Sequence, residues 1–571
     1  MTQMADPAGA DVAGRTPSGP QALRKRLHFY EDEAFDFPPA VRSVIPGAPA
    51  TPPHPPARRI VYAATSLLAG LTGGLGNAVV LANLPYLEGS LGLYLSEIAW
   101  LPVVYLVTNA VTGCVLVKYR QQFGIRSFCM IFLSLQVLLI AAHLAVRGLD
   151  SAIAVRAASG ISGSALTSLG VLYMIQALPA SHRPKAITLG IGLQPLALLL
   201  ARLLPTDALA FGNWAGLYLF ELGLSLLTLA AVMFVRLPPN QRVKAFSRWD
   251  ALSFVFYASG IGLLGSAIGL GGYLWWTNVS WIGCALAASI ACLGVALVIE
   301  YFRADPLIDV RWLSAGTIVR WTIVTIAARI VLSEQSIAVI GMLRDAGLVN
   351  EDFSSLSWVI FLAAVAGLVV GALSVGPNRL AGLAMLAISL VAVAAFLDSF
   401  SSLSTRAPQL YLTQAMIAFS TTMFIGPSFV FGLNEVIAGG GKRMTSFIAL
   451  FGMTQSIGSL IGTALIQTYL YYAQQWHLAD LAAQAEKIAP LVPDTTRALA
   501  ARYQPTLQDP LLRSAEGIAQ FSQQVLMNAR IAAYDDVFLA VALLALATTA
   551  AMLLFFAWSW LRPFHAEAKT S

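Results

Sequence analysis

The chain has 571 residues, of which 57% are hydrophobic and only 11% are charged, and its mean hydropathy is +0.71. About a quarter of the residues of an average soluble domain are charged, so this composition excludes a soluble globular protein and indicates one that lies in lipid. The formal charge of +6 comes from Lys and Arg in loops between apolar runs, which indicates membrane topology and not a nucleic-acid surface.

Residues 1–58 are rich in proline, alanine, glycine and charged side chains, and they contain the run PATPPHPP at 49–56. A segment of this composition cannot bury enough apolar surface to fold unaided, so we predict a disordered cytoplasmic tail. No short apolar core with a small-residue cleavage site precedes the first long apolar run. That first run is therefore expected to act as the membrane insertion signal.

Fourteen apolar runs follow, each close to or above the length of about 20 residues that a helix needs to cross a hydrocarbon core of about 30 Å. They predict an all-α integral membrane protein with fourteen transmembrane helices. The predicted spans are 60–87, 97–117, 127–146, 151–178, 186–204, 214–236, 250–272, 276–302, 316–342, 354–376, 379–398, 408–432, 443–472 and 536–561.

The basic residues of the loops predict the orientation, because Lys and Arg are enriched in cytoplasmic loops. The short loops after odd-numbered spans contain only Arg147, Arg344 and Arg406. Loops after even-numbered spans contain Lys118, Arg120, Arg126, Arg183, Lys185, Arg242, Lys244, Arg248, Arg303, Arg311, Arg379, Lys442 and Arg443. We therefore expect both termini in the cytoplasm, including the short tail 562–571, and a multi-pass protein of the cell inner membrane.

Residues 473–535 form the longest connection and, by the same parity, lie outside the cytoplasm. Helix-forming stretches at 478–487 and 514–533 are separated by four prolines. Long insertions of this kind are often functional. Two interpretations remain open at this stage, a docking element for an extracytoplasmic partner and a passive cap.

Motifs in chain order carry a family resemblance. Residues 156–163 (RAASGISG) match the signature Arg-x-x-x-Gly that opens the fourth span of major facilitator drug exporters. Further matches are Leu84-Pro85, Gly89 to Gly92 with Ser96 and Trp100, Pro179 with Arg183 and Ala186, Trp249 to Ala251, Glu300 with Pro306 and Asp309, Gly462-Thr463, 523–525 (QQV) and 533–538 (AYDDVF). Together these resemble the fourteen-span, EmrB-like drug:proton antiporter branch of the major facilitator superfamily.

The resemblance implies two six-helix bundles, at 59–236 and 316–561, with two inserted spans at 237–315. It further implies a cavity at the membrane midplane and alternating access, as in other transporters built from repeats. Members of this branch export small amphipathic molecules such as drugs, fatty acids or dyes against an inward proton flow. Many work with a periplasmic adaptor (membrane fusion) protein, for which 473–535 is the candidate contact here.

This chain departs from the family pattern where energy coupling is expected. The first span has Gly76 where relatives usually carry an Asp. The fifth-span antiporter motif is reduced to Pro195 followed by an apolar run and Arg202, and the motif after the second span lacks its acidic residue. These departures leave the fold prediction intact, but proton antiport would need another buried carboxylate.

Three charged residues lie at similar depth in the first bundle. Arg156 and Glu221 are about 8 and 10 Å below the outer surface by helical rise, and Arg202 is within one turn of the same end. A charge at mid-helix costs about 2.5–3.5 kcal/mol, so each of the three needs a partner or a water-filled cavity. We predict a cluster that is either a structural ion pair or a proton-coupling site with Glu221 as the carboxylate.

Arg329 is the deepest charge, about 20 Å from the cytoplasmic end of the ninth span. Glu334 lies five residues further along and therefore on another face of the helix. We predict a cavity role for Arg329, either binding an anionic substrate group or pairing with a carboxylate across the bundles. Glu334 is the second candidate for proton coupling, and Glu221 is favoured over it because two arginines can reach its layer.

Four uncharged polar residues lie at cavity depth, namely Asn77, Asn109, Gln194 and Gln455. Each either lines the cavity or bonds a neighbouring helix. The sequence contains no nucleophile–base pair and no metal-ligand spacing outside the membrane, so we predict no catalytic residue, metal or cofactor. Three functions remain open: a proton-driven exporter, a facilitator or substrate-specific exporter without proton coupling, and a non-transporting receptor or assembly partner.

Overall fold

A computed structural model describes residues 43, 45–146, 148–204, 215–349, 352–376, 378–439, 441, 443–487 and 492–567. Within these residues the chain is helical without strands, and fourteen helices are long and apolar enough to cross a membrane. The predicted fold class and number of spans are therefore confirmed. Most of the predicted tail 1–58 and the last four residues of the tail 562–571 lie outside the described residues.

We call the side where the first spanning helix begins and the last one ends the terminal side, and the opposite side the distal side. Six helices form the first bundle, in which α1 packs between α4 and α5. They are α1 (Pro56–Ala82), α2 (Trp100–Phe123), α3 (Ile125–His143), α4 (Leu149–Ala177), α5 (Arg183–Leu203) and α6 (Ala215–Phe234). The apolar run predicted as 60–87 is divided at Asn83, where α1 ends and a short helix Leu84–Leu91 begins.

The inserted helices α7 (Arg248–Leu274) and α8 (Ser280–Tyr301) pack against each other. On the terminal side, Asp250 of α7 binds Lys118 of α2 at 2.8 Å and Arg303 at 2.6 Å. Arg303 also binds Glu300 at the end of α8, at 2.6 Å. The carboxylate absent from the loop after α2 is thus supplied by α7, and this ion network fastens the inserted pair to the first bundle.

Six helices form the second bundle, where α10 and α11 both pack on α12. They are α9 (Gly316–Val331), α10 (Ser354–Ser374), α11 (Leu380–Asp398), α12 (Tyr411–Ala438), α13 (Met444–Lys487) and α14 (Pro510–Glu567). The ninth span continues beyond α9 through a π-helical segment, Gln335–Val339, and a short helix, Ile340–Asp345. A π-helical turn inside a spanning helix often marks a functional site.

The two bundles meet along two pairs of surfaces. Helix α5 packs on α10 and α12, and α2 packs on α13, while α7 contacts both α2 and α13 along their flank. At the first surface, Gly192 of α5 leaves room for the Leu368 side chain of α10. Small residues at such contacts allow helix backbones to approach closely, which suits surfaces that slide.

The segment 473–535 is not a separate loop domain. Helix α13 runs for 44 residues and α14 for 58 residues without a break, and a ten-residue helix, Val492–Ala501, packs on α14 between them. At 1.5 Å per residue α13 is about 66 Å long, roughly twice the hydrocarbon core. The two helix-forming stretches predicted at 478–487 and 514–533 are therefore extensions of the last two spans, forming a helical hairpin on the distal side.

The last part of the predicted disordered tail packs on the terminal side of the first bundle. Ala50 donates its backbone N–H to Pro239 O (3.1 Å) and accepts a hydrogen bond from Gln176 Nε2 (2.9 Å). His54 shares a hydrogen bond with Gln176 Oε1 (2.9 Å), and burial lowers the pKa of His54. Residues 47–50 are buried, and Ala50 and His54 are hydrogen-bonded, so the chain packs on the bundle ahead of the tail boundary predicted at residue 58.

Candidate functional site

A cavity lined by both polar and apolar residues lies between the two bundles and has two compartments. The terminal-side compartment has a volume of about 150 Å³ and the distal-side compartment about 200 Å³. Asn109, Gln194, Gln455 and Ser456 line both compartments, so they form the boundary between them. Ile45, from the N-terminal segment, lines the terminal-side compartment.

Six of the residues predicted for the cavity or its charge network line it in the structure. Asn77, Asn109, Gln194 and Arg202 come from the first bundle, and Arg329 and Gln455 come from the second. Among the described residues that line the cavity, none is an aspartate or a glutamate. Three arginines line the cavity, Arg120 in the terminal-side compartment and Arg202 and Arg329 in the distal one. Without a lining carboxylate they give the cavity a positive electrostatic character.

Arg329 is seated by the neighbouring helix α13. Its Nε donates to the backbone carbonyl of Gln455 at 3.3 Å. A Cβ atom at Gly458, one turn further along α13, would lie 3.1 Å from Arg329 Cβ. Glycine at this position therefore lets α9 and α13 approach closely enough to present the guanidinium to the cavity.

Arg156 joins α4 to α1 on the distal side. Its side chain is only 2% exposed. Nη1 donates to the carbonyl of Gly76 at 2.6 Å, Nη2 donates to Asn77 Oδ1 at 2.6 Å, and the guanidinium lies 4.7 Å from the centre of the Tyr105 ring. Because Asn77 lines the cavity, these bonds link a fully buried cation to the wall of the site.

The predicted cluster of Arg156, Arg202 and Glu221 forms only in part. Glu221 of α6 is buried and interacts electrostatically with Arg156, but its Oε1 has no hydrogen-bond partner among the described residues. Arg202 instead lines the distal compartment of the cavity. The sequence gives the depth of Arg202 but not its direction, and the packing of α5 against the second bundle turns it away from Glu221.

Glu334 lies at the end of α9, directly before the π-helical segment. It is fully buried, and neither carboxylate oxygen has a hydrogen-bond partner in the described part of the chain. Arg329 faces the cavity while Glu334 faces the interior of the second bundle. This agrees with the five-residue spacing, which sets the two on different faces.

Sequence reasoning missed the neighbours of Glu334. Asp398, the last residue of α11, and Gln414, in the first turn of α12, are both buried beside it. Asp398 falls at the end of an apolar run, where a carboxylate is ordinarily solvated. The available signal was its place inside the predicted span 379–398, since acids within spans are rare.

The arrangement of the helices is similar to that of a solved transporter. The crystal structure of the human organic anion transporter MFSD10 (TETRAN) matches with a TM-score of 0.51 at 13% sequence identity, covering 86% of this chain and 100% of that chain. The chain has the major facilitator fold. No protein-family model and no curated protein sequence matches it.

The sequence resemblance aligns Gly76 with a first-span position where EmrB-like exporters usually carry an acid. Its carbonyl binds Arg156, and a Cβ atom built on it would meet Gln136 Nε2 at 3.7 Å, an ordinary contact distance. Space is therefore open at Gly76, next to Arg156. Glu221 in the first bundle and Glu334 in the second are buried carboxylates.

Proposed function

We propose that this protein is an efflux transporter of the fourteen-span, EmrB-like branch that exports small amphipathic organic anions by alternating access, driven by proton antiport. The observation that carries the proposal is the cavity between the bundles, with Arg202 and Arg329 in its wall and no carboxylate among its described lining residues. The solved structure it resembles is that of an organic anion transporter. That similarity supports the proposed class of substrate.

The positions of the two arginines suit alternating access. Arg202 belongs to the first bundle and Arg329 to the second, so an anion between them contacts both halves of the molecule. Apolar lining residues such as Leu198 and Ile425 supply a surface for the hydrophobic part of the same substrate. A ligand that touches both bundles has a different affinity when they rock apart, and this difference is what shifts the conformational equilibrium.

Transport of an anionic dye tests the substrate class. Purified protein in proteoliposomes is expected to move anilinonaphthalene sulfonate faster than the cation ethidium. Arg329→Gln and Arg202→Gln should each lower anion transport about tenfold or more, because a hydrogen bond to a charged group contributes about 1.5–3 kcal/mol. Arg320→Gln is the matched control, since Arg320 lines a separate cavity and its Nε bonds Gly316 O.

Equal anion transport by the parent and Arg329→Gln would contradict the proposed site. An imposed pH gradient then separates the proton antiporter from the facilitator, the alternative favoured by Gly76 in place of the first-span acid. Accumulation of the anion against its gradient only when the pH gradient is present supports antiport. Equilibration alone, unaffected by the pH gradient, supports the facilitator.

We propose an inner-membrane location with both termini in the cytoplasm, so that the terminal side is cytoplasmic. The excess of Lys and Arg on that side supports this orientation. A reporter active only outside the cytoplasm should be active when fused near Gln504 and silent when fused near Lys244 or after Phe564. Activity at Lys244 would overturn the proposed topology.

The helical hairpin on the distal side is the proposed contact for a periplasmic adaptor protein. At its base, His477 of α13 binds Asp536 of α14 at 2.8 Å and so joins the two arms. Tyr534 Oη of α14 donates to Asp345 Oδ2 at 2.6 Å and ties the hairpin to the ninth span. Replacing residues 480–528 with a Gly/Ser linker keeps both ties. This variant should insert and transport in proteoliposomes as the parent does, yet fail to export across the whole cell envelope. Unchanged export from cells would leave the hairpin a passive cap.

A further inference from the structure

A group of four buried polar side chains lies inside the second bundle toward its distal side. Glu334 and Gln414 are each 0% exposed, Asp398 is 2% exposed and Gln335 is 8% exposed. They come from three different helical elements, namely the ninth span, α11 and α12. Burying four polar groups in a bundle surrounded by lipid is unfavourable in free energy unless they hydrogen-bond one another or bind an ion or a proton.

Three of the four form a continuous hydrogen-bonded chain. Gln414 Nε2 donates to Asp398 Oδ2 at 2.8 Å. Gln335 Nε2 donates to Gln414 O at 2.9 Å and to Gln414 Oε1 at 3.1 Å. Gln335 also lines the distal compartment of the central cavity. The chain therefore connects a buried carboxylate, Asp398, to the wall of the transport cavity.

Glu334 is buried beside this chain of hydrogen bonds but is not joined to it by a hydrogen bond. The Gln414 amide and the Asp398 carboxylate are its electrostatic neighbours, yet neither oxygen of Glu334 has a partner with hydrogen-bond geometry in the described residues. No ion pair to Glu334 or Asp398 occurs within the part of the chain that the structure describes. Two buried carboxylates that interact electrostatically, without a cation between them, are not both ionised in a low-dielectric interior.

Other titratable groups of the neighbouring helices are engaged elsewhere. Arg530 of α14 lies 2.7 Å from Asp345, to which Tyr534 also donates. Asp535 of α14 faces the backbone of Ser401, in the loop that follows Asp398. His477 of α13 binds Asp536. Arg530 and His477 therefore have acidic partners of their own. Arg329, on the same span as Glu334, donates to Gln455 O and faces the cavity. Arg406, in the loop after Asp398, donates to the carbonyls of Leu403 and Thr405.

We propose that Glu334 and Asp398 bind a proton between them and form the proton-coupling site of the transporter. The proton adds to a carboxylate oxygen and gives a neutral carboxyl group, whose O–H donates to the remaining carboxylate. Gln414 holds Asp398 in place by its hydrogen bond. Gln335, which bonds Gln414 and lines the cavity, links protonation of the pair to the cavity wall. The π-helical segment that starts after Glu334 supplies the irregular backbone at which the ninth span can shift.

This assignment deepens the proton antiport proposed above, but proton binding by the pair is measurable without transport. Infrared difference spectroscopy of the full-length protein in lipid vesicles detects the carbonyl stretch of protonated carboxyl groups. At neutral pH exposed carboxylates are ionised and do not contribute. We expect the parent to show a protonated-carboxyl band. Glu334→Gln/Asp398→Asn should remove the component of this band that the pair contributes, and Gln414→Met should shift that component in frequency. Glu221→Gln, which changes a buried acid of the other bundle, should leave that component unchanged.

A band of unchanged intensity in the double variant would overturn the assignment, as would the absence of any protonated-carboxyl band from the parent. Glutamine and asparagine keep the volumes of the acids, and Gln414→Met keeps both carboxylates, so the proposal stays testable if the double variant does not fold. Transport gives a separate result. Loss of the band with pH-driven accumulation unchanged overturns the coupling role of the pair. A normal band without any pH-driven accumulation by the parent upholds the proton-binding pair and contradicts the proposed function.

Discussion

The two bundles each bury one carboxylate deep in a spanning helix, but they surround it differently. Glu221 in the first bundle faces Arg156, a cation that is itself held by Gly76 O and Asn77. Glu334 in the second bundle faces another acid, Asp398, and an amide, Gln414. An arginine favours the ionised form of a carboxylate and a second carboxylate disfavours it, while burial opposes ionisation of both. Similar depth in a helix therefore does not imply similar electrostatic surroundings.

The largest effect that follows from this comparison concerns uphill transport. One coupled proton under a gradient of two pH units supports roughly hundredfold accumulation of substrate. We expect Glu334→Gln and Asp398→Asn each to abolish this accumulation in proteoliposomes while downhill exchange continues, because the proton has lost one of its two acceptors. Glu221→Gln should retain most of it.

The reverse order, with Glu221→Gln the more damaging, would move the coupling site to the first bundle. The sequence favoured Glu221 because Arg156 and Arg202 lie at its depth. In the structure Arg202 lines the cavity instead. Uphill accumulation of substrate by Glu334→Gln, Asp398→Asn and Glu221→Gln, measured in vesicles of the same composition, decides which bundle holds the coupling site.

A smaller effect is expected on stability when the cation of the first bundle is removed. Arg156→Gln loses the charged donors to Gly76 O and Asn77 Oδ1. We expect a fall in the free energy of unfolding of about 2 kcal/mol, since hydrogen bonds from charged groups contribute about 1.5–3 kcal/mol. Thermal unfolding of the purified protein in detergent measures it.

The double variant Arg156→Gln/Glu221→Gln sharpens this result. If Arg156 compensates the charge of Glu221, neutralising both should be less destabilising than the sum of the single changes. Additive losses would show that the two residues act independently. In that case Arg156 would not stabilise the charge of Glu221, and the proposed difference between the two bundles would depend only on Glu334 and Asp398.

The smallest effect is expected at Gly76. A Cβ atom there meets its nearest described neighbour, Gln136 Nε2, at an ordinary 3.7 Å, so Gly76→Ala should change the free energy of unfolding by less than about 1 kcal/mol. Gly163→Ala is the matched control, because its added methyl group would overlap the Tyr105 hydroxyl and overpacking costs about 1–3 kcal/mol. Equal losses from both changes would mean that the first-span position has no free space beside Arg156.

Much of the candidate site could be predicted from the sequence. Asn77, Asn109, Gln194, Arg329 and Gln455 are polar residues at midplane depth, and lipid leaves such side chains few places other than a cavity or a helix contact. The structure brings all five to the wall of one cavity. Their roles in substrate binding stay predictions, which the transport assays above test.

Other parts of the site could not be predicted, because depth along a helix does not give the direction in which a side chain points. Arg202 is within reach of Glu221 by depth alone, yet it faces the other bundle. Asp398 is the last residue of an apolar run, a position at which the sequence predicts a solvated helix end. The loop and helices around it instead bury it, so that it is only 2% exposed. Tertiary packing supplied both corrections.

The sequence by itself determined the number of spanning helices and the all-α class. A helix satisfies its backbone hydrogen bonds within one segment, and an apolar run of sufficient length must cross the lipid as such a helix. Only the tertiary structure decided which buried charges meet. Asp398 and Glu334 are 64 positions apart in the chain, and Asp250 reaches Lys118 across 132 positions. Electrostatic partners of this kind are fixed by how helices pack in space, which periodicity along one helix does not encode.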